Sequence, residues 1–156
     1  LKVISGGQTG VDRAALDAAI AVGLDYGGSV PNGRMAEDGP IDRNYSMLTE
    51  MPHGTYKART EKNIEDADAT LIVTRGKPTN GTAHTIRYVA TLQKQFLIVD
   101  LAESNEVSIV NQILEWLESI HPRVLNVAGP RESKSPGMYI HVLGILSTVF
   151  RNISNE

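Results

Sequence analysis

Short aliphatic runs recur at Val3-Ile4, Leu71-Ile72-Val73, Phe96-Leu97-Ile98-Val99 and Val124-Leu125-Asn126-Val127, each followed by turn residues and then a helix-like pattern. Continuous apolar runs, as opposed to alternating ones, are expected of strands buried on both faces of a parallel sheet. A fifth, weaker strand is predicted around Tyr26–Val30, where Gly27 and Gly28 dilute the signal. Between the strands, Val11–Val22 reads as a helix on its alanine content and ends at Gly23. Asn105–His121 places Val107, Val110, Leu114 and Leu117 at helical spacing, with Ile109, Ile113, Trp116 and Ile120 beside them, and Pro122 stops it. Ser135-Pro136 predicts the start of a last helix, and Thr82 the start of one running to about Lys94. The span Pro31–Thr60 shows no sustained periodicity, and a stretch of that length without clear elements is usually functional. Alternating strands and helices predict a doubly wound α/β domain.

Composition narrows this picture. A chain of 156 residues with 41% hydrophobic and 21% charged content fits one domain over 1–156. Fifteen Lys+Arg against 18 Asp+Glu leave a net charge of −3, so no global field recruits nucleic acid or an anionic membrane. The longest strongly apolar region, Met138–Phe150, is too short to span a bilayer and reads as a buried helix. No signal segment is recognised near Leu1, and a cytoplasmic location is the default expectation. The absence of cysteine excludes disulfides, thiolate metal sites and cysteine nucleophiles. His53, His84, His121 and His141 show no ligand spacing, so no protein-ligated metal is expected; His84, near Gly81-Thr82, is the one histidine placed for chemistry.

In open α/β sheets ligands sit beyond the carboxyl ends of the strands, which here means the loops after Ser5, Thr74 and Ala128. The first, Gly6-Gly7-Gln8-Thr9-Gly10-Val11-Asp12-Arg13, has the glycines that let a backbone approach a ligand and a helix start that favours an oxyanion. Arg13 at the positive end of the helix dipole suggests an anion nearby; Thr9 and Asp12 at capping-box spacing are the alternative. The second loop brings Arg75, Gly81 and Thr82 to a helix start, and the third combines Gly129, Arg131, Glu132, Ser133, Lys134 and Gly137. Either could instead be a capped polar turn. Within the long irregular span, Arg34 accompanies Glu37 and Asp38, which could hold a ribose or ring nitrogen, act as a general base, or sit in a solvated loop.

The segments Gly-Gly-Gln-Thr-Gly-Val-Asp-Arg, Gly-Arg-Met-Ala-Glu-Asp-Gly-Pro, Thr-Arg-Gly with Asn-Gly-Thr-Ala, and Val-Leu-Asn-Val-Ala-Gly-Pro-Arg-Glu-Ser-Lys together resemble the molybdenum cofactor carrier family, over nearly the whole chain. The resemblance implies a circularly permuted branch of a Rossmann-like superfamily that also holds lysine decarboxylase-like phosphoribohydrolases and DNA-processing proteins. It implies a mainly parallel sheet of about five strands in the order 2-1-5-3-4, a phosphate-bearing ligand such as molybdenum cofactor or a nucleotide, and self-association through helices such as Met138–Ile153, against which stands burial of that helix as core. Phosphoribohydrolases of the superfamily carry a glutamate where Thr85 stands here, which removes the expected acid/base group. Two functions follow as expectations. The first is a binding protein using Gly6, Gly7, Gln8, Thr9, Gly10, Asp12, Arg13, Arg34, Arg75, Gly81, Thr82, Gly129, Arg131, Ser133, Lys134 and Gly137. The second is a nucleotide-processing hydrolase or transferase with Asp12, Glu37, Asp38 or Glu132 as acid/base.

Overall fold

The computed structural model describes residues 1–155. Its centre is a parallel six-stranded sheet of β1 (Lys2–Ile4), β2 (Asp25–Val30), β5 (Leu48–Glu50), β6 (Ala69–Thr74), β7 (Gln95–Asp100) and β8 (Val124–Ala128). The spatial order is β5-β2-β1-β8-β6-β7. The five expected strands stand in the order the permuted topology implies, with the last strand of the chain at the centre. The sixth strand, β5, was not expected; it adds to the β2 edge through the register Gly28 to Leu48. A two-stranded antiparallel ribbon, β3 (Met35–Ala36) with β4 (Gly39–Pro40), lies outside the sheet.

Strand alternation divides the two faces. Val3, Leu71, Val73, Leu125 and Val127 point into the larger core, against α1 (Val11–Ala21), α4 (Glu106–Ile120) and α5 (Met138–Ser154). The four alanines 14, 15, 18 and 19 of α1 are fully buried, and their small volume lets α1 lie close to α5 and the sheet. Helix α5 spends its apolar face internally, through Met138, Val142, Ile145, Leu146, Val149 and Phe150. On the opposite face α2 (Tyr56–Asp66) and α3 (Asn80–Thr91) pack together, and Ile64, Ile72 and Val89 form a smaller core. That face of β8 carries Asn126 and Ala128 in place of large aliphatics, which leaves room beneath the two helices.

Helix ends follow ordinary chemistry, with two shifts from the sequence expectations. Asn105 caps α4, its side chain accepting from the Ser108 amide at 2.9 Å, and His121 closes it in the left-handed region at φ 47° before Pro122. Helix α3 begins at Asn80, not Thr82. Helix α5 begins at Met138, after a turn in which the Met138 amide donates to the Ser135 carbonyl, so Ser135-Pro136 precedes the helix instead of opening it. Helix α2 lies in and beyond the span that shows no periodicity. Its C-terminus is closed from outside, since Lys94 Nζ donates to the carbonyls of Ile64 and Ala67 at 3.0 and 2.8 Å and also to that of Glu65. No helix among the described residues is long and apolar enough to cross a membrane.

Candidate functional site

A cavity of about 620 Å³ opens beyond the carboxyl ends of β1 and β8, walled by α2 and the start of α3. Of the residues expected from the sequence, Gly6, Gln8, Asp12, Gly81, Thr82, Gly129, Arg131 and Lys134 line it. Helix α2 adds Tyr56, Lys57, Arg59 and Thr60, which sequence reasoning missed.

The start of α3 is a part of the wall with donors to spare. Thr79 makes no side-chain cap, the first helical bond runs from the Ala83 amide to the Thr79 carbonyl at 2.8 Å, and the amides of Asn80, Gly81 and Thr82 have no partner among the described residues. All three residues line the cavity. Across from them, Gly129 is wedged between α1 and β6, where a Cβ would lie 2.6 Å from Val11 Cγ2 and from the Val73 carbonyl. That close packing brings Arg131 and Lys134 to the rim.

The first glycine turn is organised differently from the expectation, because the protein satisfies several of its amides itself. The Gln8 amide donates to Asp12 Oδ2 at 3.3 Å, the Thr9 amide to Gln8 Oε1 at 3.0 Å, and the Gly7 amide to Ser5 Oγ at 3.4 Å. The Val11 and Arg13 amides go to the carbonyls of Pro130 and Gln8. Asp12 thus acts as the anion at the start of α1, and its carboxylate is paired with Arg59 Nη1 at 2.9 Å, the two side chains being 6% and 12% exposed. Burial pushes the Asp12 carboxyl above its ordinary pKa, against the opposing pull of Arg59, the Gln8 amide and Arg13.

Other expected ligand residues build the frame of the cavity and do not face it. Arg13 does answer to an anion, but to Asp38 at 2.7 Å, while also donating to the Gly7 carbonyl. Arg34 is withdrawn into its own loop, donating to the carbonyls of Ile41, Asp42 and Tyr45. Arg75 binds the Pro136 carbonyl at 3.0 Å and meets His141 Nδ1 at 3.1 Å. Gly10 and Thr9 join the first loop to the third: the Glu132 amide donates to Thr9 Oγ1 at 3.2 Å. Glu37 fastens the same junction, accepting from the Thr9 hydroxyl and from the amide and hydroxyl of Ser133, with Arg131 Nε at 3.6 Å. Desolvation raises the Glu37 carboxyl, but the hydrogen bonds from Ser133 and Thr9 and the charge of Arg131 outweigh it and hold the group below its usual range. Glu132 accepts from the Gly137 and Tyr139 amides at 2.9 and 2.8 Å, closing the start of α5. Glu37, Asp38 and Glu132 are therefore engaged in contacts that join the loops, and like Gly7, Ser133 and Gly137 they lie outside the cavity wall.

One further pair in the wall has chemical potential. His84 Nε2 stands 3.0 Å from Glu61 Oε1, with the imidazole at the cavity and the carboxylate behind it. No cluster of three or more histidine or acidic side chains among the described residues could hold a metal ion.

Comparison with known proteins agrees with this architecture. No curated protein matches the sequence. The crystal structure of "Putative molybdenum carrier protein" from Syntrophus aciditrophicus SB superposes with a TM-score of 0.91 at 45% identity, covering 96% of this chain and 93% of that one. Residues 3–150 match the circularly permutated YpsA SLOG family, a permutation that accounts for the late central strand β8. The chain belongs to the circularly permutated YpsA SLOG family.

Proposed function

We propose that the cavity binds a phosphate-bearing small molecule, a nucleotide or molybdenum cofactor. The observation that carries this reading is the uncapped start of α3, whose residues Asn80, Gly81 and Thr82, with unpartnered amides, line the same cavity as Lys57, Arg131 and Lys134. Aligned peptide dipoles place about half a positive charge at a helix N-terminus, and a hydrogen bond to a charged group contributes about 1.5–3 kcal/mol net. The volume lies within the range of about 300–1,000 Å³ usual for small-molecule sites. Tyr56, 40% exposed at the mouth, offers a ring face to a planar heterocycle. The donor set suits the phosphate and heterocycle of molybdenum cofactor; the wall offers its metal no thiolate, and the name of the solved relative is the further support for that ligand. Calorimetry with inorganic phosphate, AMP and GMP tests the reading. Wild-type protein binds at least one of them, and the double variant Arg131→Ala/Lys134→Ala weakens binding by about tenfold, the equivalent of about 1.4 kcal/mol. No heat and no competition with any of the three would overturn it.

The His84–Glu61 pair favours a second reading, turnover of the bound nucleotide. A carboxylate that fixes one ring nitrogen leaves the other to exchange a proton with a ligand or water. Release of base, sugar phosphate or inorganic phosphate from a nucleoside monophosphate panel, lost in His84→Ala, is the expected result. Absence of turnover across the panel removes this reading and leaves binding.

A further inference from the structure

We propose that Arg59 grips the oxyanion of the cavity's ligand and that Asp12 competes with that oxyanion for the same guanidinium. The inference rests on reading the cavity as an anion site, and it names which side chain sets its affinity.

Three observations lead to it. Arg59 rises from the first turns of α2 and lies flat across the glycine turn after β1, so close that a Cβ on Gly6 would fall 1.8 Å from Nη1 and 2.7 Å from Cζ. Gly6 is thus the residue that admits the guanidinium to the place where such a turn ordinarily receives an anion. The guanidinium is also under-used. It has five donors in a planar fork, yet Nη1 alone is engaged, on Asp12; Nε is buried without a partner, and Nη2 makes no hydrogen bond among the described residues. The unpartnered Nε–Nη2 edge is the one that takes a carboxylate or phosphate through two parallel bonds. Finally, Arg59 and Asp12 both line the cavity, so the guanidinium and its internal counter-ion belong to the same wall as the start of α3.

The ligand this selects carries a terminal oxyanion with at least two acceptor oxygens, one for the fork and one for the start of α3. The Tyr56 ring centroid lies 5.6 Å from Arg59 Cζ, within the range of a cation–π contact with the guanidinium. A second negative charge beside the buried Asp12 carboxylate is repelled by it. Asp12 therefore restrains affinity, and a neutral isostere there strengthens binding while still accepting the Gln8 amide.

Calorimetric titration with inorganic phosphate and with AMP distinguishes the outcomes. Asp12→Asn is expected to bind both about tenfold more tightly than wild type, a gain of about 1.4 kcal/mol. Arg59→Gln is expected to bind them at least about tenfold more weakly, and Asp12→Asn/Arg59→Gln to show no gain over Arg59→Gln. Thermal melts confirm that each variant folds. Where Asp12→Asn does not fold, Arg59→Lys decides: it keeps a charge for Asp12 but has no fork, so it loses affinity if the proposal holds and matches wild type if it does not. Unchanged or weaker binding by folded Asp12→Asn, with Arg131→Ala/Lys134→Ala still reducing affinity, overturns the role of Arg59 and leaves the anion site standing. Failure of wild type to bind inorganic phosphate, AMP or GMP overturns the anion site itself.

Discussion

Two glycines with nearly the same φ provide a controlled comparison of backbone strain with close packing. Gly10, before α1, has φ 78° and ψ −127°, and Gly23, after it, has φ 77°. A Cβ at Gly23 meets nothing within 4 Å, whereas at Gly10 it falls 2.5 Å from the Pro130 carbonyl oxygen, 2.8 Å from the Glu132 amide and 2.9 Å from the Arg131 carbonyl carbon. All three obstacles at Gly10 are backbone, so no rotamer change relieves them. Gly23→Ala therefore carries conformational strain alone, about 1–2 kcal/mol. Gly10→Ala carries strain of about 1–3 kcal/mol plus overpacking of about 1–3 kcal/mol. In a chain of this size one kcal/mol shifts the melting temperature by about 2–4 °C. The expected drops in calorimetric melts are about 5 °C for Gly23→Ala and about 10 °C or more for Gly10→Ala. The chain can relieve the Gly10 clash only by moving the third loop away from the first, so AMP affinity falls in that variant and is retained in Gly23→Ala. Equal melting shifts, or a Gly10→Ala protein with unchanged affinity, would refute the claim that close approach at Gly10 sets the cavity wall.

The Glu37 and Asp38 carboxyls, held below their ordinary pKa in the fold, contribute stability above the unfolded value of about 4 that is lost as pH falls through the folded value, while Asp12, raised by burial, acts in the opposite sense. Melts between about pH 6 and 3 should show a shallower acid decline for Glu37→Gln than for wild type, and identical slopes would contradict the loop-fastening role. Lys94→Met strands the carbonyls that end α2 and should cost about 1–2 kcal/mol in urea titrations; an unchanged midpoint would show that water replaces the ammonium at no loss. Since β1 and β6 both pair with β8 and not with each other, a fragment of residues 1–121 holds two unjoined half-sheets and should show no cooperative unfolding transition by far-ultraviolet circular dichroism, a result reversed if the fragment melts sharply.

The central strands were legible because each is largely buried and reads as a short aliphatic run, interrupted in β8 by Asn126. Their order followed from the permutation that the family resemblance implied. What escaped notice has a common cause: the elements between Pro31 and Asp66 bury few and irregularly spaced apolar residues, Ala36, Ile41 and Leu48 against Leu16 and Val30 among them, and hydropathy registers no period there. Helix α2 buries only Asn63 and Ile64, and Asn63 is inside because its amide group accepts from the Ser29 amide at 2.8 Å and donates to the Ser29 carbonyl at 3.0 Å. Strand β5 has one buried residue, Leu48. Gly28, which weakened the reading of β2, is required by that strand: at φ 127° a Cβ would lie 2.1 Å from the Ser5 carbonyl oxygen.

The site was legible in its glycines and less so in its cations. A strand-to-helix glycine turn announces that something approaches the backbone, and at Gly6, Gly10 and Gly129 something does, but it is Arg59, the third loop and Val11 respectively. Likewise the dipole argument for Arg13 correctly required an anion, and the protein supplies it as Asp38 from another loop. A sequence gives the need of a charged group without its partner, because the partner arrives from an element whose position only the fold determines, as Arg59 reaches Asp12 across 47 positions. The donors that the chain itself leaves unanswered, at the start of α3 and on the Nε–Nη2 edge of Arg59, are consequently the better guide to a ligand than the motif that first drew attention to one.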